Sequence, residues 1–208
     1  MKTKFLIAII WIITSAFHVH AQHNDDVSRR RLYFDFGGAV GIFLPMDNAK
    51  DDKTLLGSNG MTYLQANYLQ NYFAKLQFGQ TTIDFKSNTA LGPVSSSINA
   101  KANSTNLGIS LGYQKSLGRW QPFLSAGAGA SFIDVPANSF DAQTHTVKYT
   151  TASATHLYIG AGAGVNFKVS NSFIFFLEGQ GSTIPSLPKN SNTHLSGISI
   201  LIGIKSTL

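Results

Sequence analysis

From Leu32 onward the chain repeats one pattern eight times. In each run every second residue is apolar, and the residues between are mostly Gly, Ser, Asn or Gln. A period of two belongs to a β-strand, whose side chains point alternately to opposite faces of a sheet. The connections alternate as well: three are a few residues long and four are long and polar. Eight strands joined in this way form an antiparallel meander in which the tight turns share one rim and the long connections share the other.

The runs can be placed individually. The first spans Leu32 to Leu44, with Phe34, Phe36, Gly38, Val40 and Ile42 on one face and Asp35, Gly37, Ala39 and Gly41 on the other. Pro45 to Gly60 reads as a loop. Met61 to Tyr68 is the second run, Gln70-Asn71 a tight turn, and the third run begins at Tyr72 with Lys75, Gln77 and Gly79 on its polar face. Its apolar parity flips at Ile83 and Phe85, which predicts a bulge near Gly79–Thr81. Lys86 to Asn103 reads as the second loop. The fourth run sets Leu107, Ile109, Leu111 and Tyr113 against Gly108, Ser110, Gly112 and Gln114, and turns at Ser116–Arg119. The fifth spans Trp120 to Ile133, followed by a loop over Asp134–Ala154. The sixth spans Thr155 to Phe167, turns at Ser170-Asn171 and leads into Phe173–Ser182. Thr183 to Thr193 is the fourth loop, and the eighth run, with Ile198, Ile200, Ile202 and Ile204 on one face, continues to the end.

Alternation does not by itself separate a soluble barrel from a membrane barrel; the second face does. A soluble barrel keeps apolar residues inside and charge outside. Here only 12% of residues are charged and 43% are hydrophobic, against a usual charged fraction of about 25%. The alternate face is small and polar, which suits the narrow interior of about eight strands. The apolar face would be an aggregation hazard in water and is what a bilayer requires. Tyr72, Tyr113, Trp120, Phe167 and Phe173 gather at the short-turn ends, as an interfacial aromatic girdle would. The expectation is an all-β, eight-stranded antiparallel up-and-down transmembrane β-barrel with both termini at the short-turn, periplasmic side.

The first 21 residues read as a cleaved signal peptide. Lys2 and Lys4 precede the apolar run Phe5–Ile13, and Val19-His20-Ala21 supplies compact residues at the −3 and −1 positions. The apolar run is too short to be a membrane helix. Residues 22–31 form a polar periplasmic lead-in, and the barrel occupies 32–208. Removing Lys2 and Lys4 takes the formal charge from +6 to about +4, with no Lys/Arg stripe for nucleic acid. Cysteine is absent, so there is no disulfide framework, thiolate metal site or cysteine nucleophile.

On these features the chain resembles the small outer-membrane β-barrel domain of Gram-negative bacteria, the OmpA/OmpX-like "porin family". The resemblance rests on the leader, the strand Pro122-Phe123-Leu124-Ser125-Ala126-Gly127-Ala128-Gly129, its echo at Gly160–Gly164, and the final strand. It departs at the last residue, where the family usually carries an aromatic and this chain has Leu208, with Ser206 interrupting the apolar dyad. The resemblance implies contact with outer-membrane lipid and lipopolysaccharide and handling by the outer-membrane assembly machinery.

The residues that stand out inside the barrel are Asp35, Lys75, Glu178 and Lys205, charges on an otherwise small, polar face. Asp35 opens the first strand and Lys205 closes the last; those strands must pair to seal the barrel, so the two are expected to meet across the seam. A charge in a narrow lumen needs partners, which makes this set an interior plug. Gly160–Gly164 lacks the strand-to-helix context of a dinucleotide loop. His145, His156 and His194 show no ligand spacing. His194-Leu195-Ser196 is similar to the His-x-Ser of outer-membrane lipid A deacylases, but the required carboxylate does not follow it. No catalytic, cofactor or metal residues are expected. The expected function is therefore non-enzymatic: a largely filled barrel with an envelope-structural or surface-interaction role, four long loops contacting an extracellular ligand, and no nucleic-acid partner. The alternative is a narrow channel for small or apolar solutes.

Overall fold

The computed structural model describes residues 31–46, 56–91, 94–141, 146–185 and 195–208. The predicted signal peptide and lead-in up to Arg30, most of the first and fourth predicted loops, and His145 and His194 lie outside these residues. Eight strands follow in chain order: β1 (Leu32–Pro45), β2 (Gly57–Tyr68), β3 (Tyr72–Leu91), β4 (Val94–Gln114), β5 (Trp120–Asp141), β6 (Thr146–Lys168), β7 (Phe173–Thr183) and β8 (Gly197–Thr207). Each pairs antiparallel with the next. β1 pairs with β8 from Asp35↔Thr207 to Pro45↔Gly197, closing the barrel.

The two faces divide as the alternation requires. Phe34, Phe36, Leu64, Leu76, Ile109, Leu111, Leu124, Leu177 and Ile202 are exposed on the outside. Asp35, Gln65, Asn67, Lys75, Gln114, Asn166, Glu178 and Lys205 are buried within. At the short-turn rim the girdle aromatics meet in cross-strand pairs: Tyr72 edge-on to Tyr113 at 5.6 Å and Trp120 tilted against Phe167 at 4.7 Å between ring centroids. Such pairs are the local unit of sheet stabilisation, each contributing roughly 0.2–1 kcal/mol. The first turn covers Leu69–Asn71, with Leu69 (φ 50°) and Gln70 (φ 63°) both left-handed.

Three expectations about the long-loop rim are corrected. The register of β3 against β2 and β4 is continuous through Gly79, Gln80 and Thr81, so there is no bulge. The parity flip has another cause. Ile83 still points inward and is buried, but at this height the interior has become apolar while the exterior carries Thr82, Asp84 and Lys101. The strand has left the membrane, and the polarity of its two faces has exchanged without any backbone slip.

The second correction concerns Lys86–Asn103 and Asp134–Ala154, which are mainly paired strand rather than loop. The β3–β4 ladder continues to Leu91↔Val94 and the β5–β6 ladder to Asp141↔Thr146. Their Ser-, Thr- and Asn-rich sequences looked like loop because they have no lipid-facing apolar face. Thirdly, β2 starts at Gly57, inside the first predicted loop.

Candidate functional site

The lumen is built in layers. At the short-turn end Asp35 is the hub. Its Oδ1 accepts a hydrogen bond from Thr207 Oγ1 (2.8 Å) and its Oδ2 one from Asn67 Nδ2 (2.9 Å). Lys205 Nζ lies 3.6 Å from Asp35 Oδ2, across the β1–β8 seam. Gln65 Nε2 donates to Asn67 Oδ1 (2.6 Å), and Gln114 Nε2 donates to the Gln70 carbonyl (3.0 Å), which ties this layer to the first turn.

Above it Lys75 Nζ sits 3.2 Å from both Glu178 oxygens, with both side chains almost fully buried. The four charges singled out in the sequence are therefore two ion pairs, Asp35–Lys205 and Lys75–Glu178. The second spans the interior from β3 to β7 and could not be assigned from spacing. Lys75 also lies 5.1 Å from the centroid of Tyr63 and 5.9 Å from that of Phe123, within reach of a cation–π attraction.

The alternation places small residues in a narrow lumen but does not show what its glycines face. Each lumenal aromatic in this layer faces a glycine directly across the ladder: Tyr63 opposite Gly37, Phe73 opposite Gly112, Phe123 opposite Gly164 and Phe176 opposite Gly203. A Cβ on Gly37 would come 2.7 Å from Tyr63 Cζ, and one on Gly164 2.5 Å from Phe123 Cζ. The glycines are the space into which the rings fold. The signal was present in the alternation, but only the register pairs each ring with its glycine.

Higher up, Gln77 Nε2 donates to Tyr158 OH at 2.7 Å. Beside them Ser110 Oγ, buried without a hydrogen-bond partner, faces a void of about 10 Å³. A second void of about 10 Å³ adjoins Lys75 and Glu178. Each has the space of about one water. At the long-loop mouth Phe43, Ile83, Ile133, Tyr158, Ile184 and Leu195 form an apolar cap. Ser196 pins the fourth loop there: its Oγ accepts from the Ile184 amide (3.2 Å) and its carbonyl from the Met46 amide (2.9 Å). That hydroxyl is engaged in loop structure, and His156 stands on β6. Among the described residues no three His, Asp or Glu side chains are grouped to hold a metal.

The closed eight-strand meander, the apolar exterior and the packed polar interior have counterparts among solved structures. No family model matches the chain, and no curated protein does. A major outer-membrane protein of Thermus thermophilus superposes with a TM-score of 0.58 at 12% identity, covering 86% of this chain and 100% of that one. OprG of Pseudomonas aeruginosa gives 0.57 at 11% identity, covering 88% and 99%. Neisserial surface protein A gives 0.56 at 10% identity, covering 85% and 97%. The fold is that of the small outer-membrane β-barrels. The apolar exterior suits lipid; the short turns, the start of β1 and the end of β8 share one rim and the long hairpins the other, the arrangement that in outer-membrane barrels sets periplasmic turns against extracellular loops. β7 and β8, with 11 residues each, match the roughly 9–11 residues a tilted strand needs to cross a bilayer. β3 to β6, with 20, 21, 22 and 23 residues, are about twice that length.

Proposed function

We propose that this outer-membrane barrel is a non-enzymatic scaffold that presents two extracellular β-hairpins for surface interaction. The observation that carries this reading is the strand-length asymmetry. β4 and β5 separate after Asn103↔Asp134, and beyond that rung β3–β4 and β5–β6 continue as two independent ladders of about nine and seven further pairs. Ordering so much backbone outside the membrane costs roughly 1–2 kcal/mol per residue, a cost with no return inside the bilayer. The interior argues for the same division of labour: two ion pairs, interlocked rings and an apolar cap leave room for single waters. Contacts with outer-membrane lipid and lipopolysaccharide, and handling by the assembly machinery, belong to this proposal.

The test is to shorten each hairpin without disturbing the barrel. Replacing residues 84–101 by Asn-Gly joins Ile83 to Ala102, and replacing 136–151 by Asn-Gly joins Val135 to Ala152; both junctions are existing rungs and Asn-Gly suits a two-residue hairpin. The shortened barrels should keep heat-modifiable gel mobility while cells displaying them attach less well to protein-coated surfaces. Undiminished attachment with both hairpins shortened would refute the reading. Planar-bilayer recordings of the intact barrel should be silent; steady conductance would favour a solute channel instead.

A further inference from the structure

We propose that Lys115, Arg119 and Lys168 form a binding site for anionic phospholipid headgroups in the leaflet at the short-turn rim. The site lies at the opposite end of the barrel from the hairpins, and it stands independently of the surface-interaction reading. Charge pairing is the starting point. Inside the lumen Lys75 faces Glu178 and Lys205 faces Asp35, and on the first hairpin Lys101 Nζ lies 3.5 Å from Asp84 Oδ1. Among the described residues Lys115, Arg119 and Lys168 have no such counter-charge. The described short-turn rim offers none: its nearest carboxylate, Asp35, is turned into the lumen and buried.

The three cations gather below one sector of the aromatic girdle. Lys115 and Arg119 belong to the β4–β5 turn, closed by the Lys115 amide on Pro122 O (3.0 Å) and by the Leu117–Trp120 bridge, with Gly118 at a φ of 66°. The Lys168 amide donates to the Arg119 carbonyl at 2.8 Å, so Arg119 and Lys168 leave the sheet side by side. The next rung inward is Trp120↔Phe167, the tilted ring pair. Lys115 continues the outward face of β4, two residues beyond Tyr113. Lys115 and Arg119 are exposed and Lys168 is half-buried.

Along that face Leu111, Tyr113 and Lys115 succeed one another at steps of about 7 Å, as hydrocarbon, interfacial ring and cation. Leu124, Trp120 and Arg119 repeat the order on β5. A phospholipid presents its acyl chain, glycerol esters and phosphate in the same order. Tyr and Trp rings settle at the headgroup level, so the cations beside them stand at the depth of the phosphates. Arg119 offers the planar fork that grips a phosphate through two oxygens, and the two lysines add point charge. A zwitterionic headgroup carries its own ammonium beside the phosphate and leaves the three positive charges unbalanced; a net-negative headgroup balances them. Arg31 is the contrast. Its carbonyl accepts from the Leu69 amide beside the uncharged first turn, on the wall across the barrel, and no second described cation accompanies it.

Trp120 lies within the site and reports its lipid neighbours. The barrel without its predicted leader is folded into phosphatidylcholine vesicles that contain a minority of acyl-brominated phosphatidylglycerol or, in parallel, the same fraction of brominated phosphatidylcholine. Stronger quenching of Trp120 by the anionic lipid is expected, equivalent to a preference of about fivefold or more, and it should weaken as salt is raised. The combined variant Lys115→Gln, Arg119→Gln, Lys168→Gln should fall to near parity between the two lipids, while Arg31→Gln keeps the parent preference. Heat-modifiable mobility checks that each variant is folded. Parity in the parent, an undiminished preference in the combined variant, or an equal loss in Arg31→Gln would overturn the site. Displacement of the preference by soluble glycerol phosphate would reassign the cations to a free phosphate. Parity together with co-sedimentation of the parent, but not of the combined variant, with purified peptidoglycan would overturn the lipid in favour of a cell-wall polymer.

Discussion

Glu178→Gln is the sharpest probe of how the lumen is held. The substitution preserves shape but removes the negative charge 3.2 Å from Lys75 Nζ. Lys75 is 3% exposed, so it cannot turn to solvent, and the rings of Tyr63 and Phe123 lie beside it. Those rings offer about 2 kcal/mol at best in a desolvated site. Breaking a buried pair by removing one partner costs about 3–5 kcal/mol, or two to almost four orders of magnitude in the folding equilibrium. Replacing both partners by apolar residues of similar volume is often neutral, so Lys75→Met with Glu178→Leu should recover most of the loss. Urea unfolding in lipid vesicles measures this directly. Trp120 is the sole tryptophan outside the predicted leader and lies at the rim, where its fluorescence reports insertion. A single-variant loss below about 1 kcal/mol, or a double variant that merely sums the two single losses, would refute the reasoning.

Gly37→Ala should destabilise by about 1–3 kcal/mol through overpacking, because the added methyl meets only side-chain atoms, Tyr63 Cζ at 2.7 Å and Lys205 Cβ at 2.9 Å; Tyr63→Leu in the same chain should restore at least half of that in the same urea assay. Asp35→Asn should weaken closure of the seam by about 3 kcal/mol, since Lys205 is left buried without its counter-charge, and Lys205→Met alongside it should recover the folded mobility of the unheated parent. Leu69→Asn should raise stability by about 1 kcal/mol, because Leu69 holds a φ of 50° that asparagine tolerates better; an unchanged urea midpoint would count against strain at that turn.

The barrel was legible because a bilayer imposes a strict code. One face of each strand must satisfy lipid and the other a narrow interior, so Leu107-Gly108-Ile109-Ser110-Leu111 states its orientation outright. The seam was legible for a topological reason: Asp35 and Lys205 lie on the two strands that must close the barrel. The Lys75–Glu178 pair was not, because β3 and β7 face each other across the lumen and no ladder connects them. The hairpins were misread for the converse reason. Outside the membrane the lipid constraint ends, and Ser95–Ser97 or Thr150–Ser153 gives no apolar alternation by which paired strand can be told from loop.

Strand number, orientation and membrane setting are thus properties of local periodicity, since each strand meets the same two environments whatever its neighbours. Which side chains meet is a property of register. That Phe73 folds over Gly112 and that Ile184 and Leu195 close the mouth both depend on how strands far apart in the chain align. Such contacts are set by packing and closure of the whole sheet, and no window of sequence contains them.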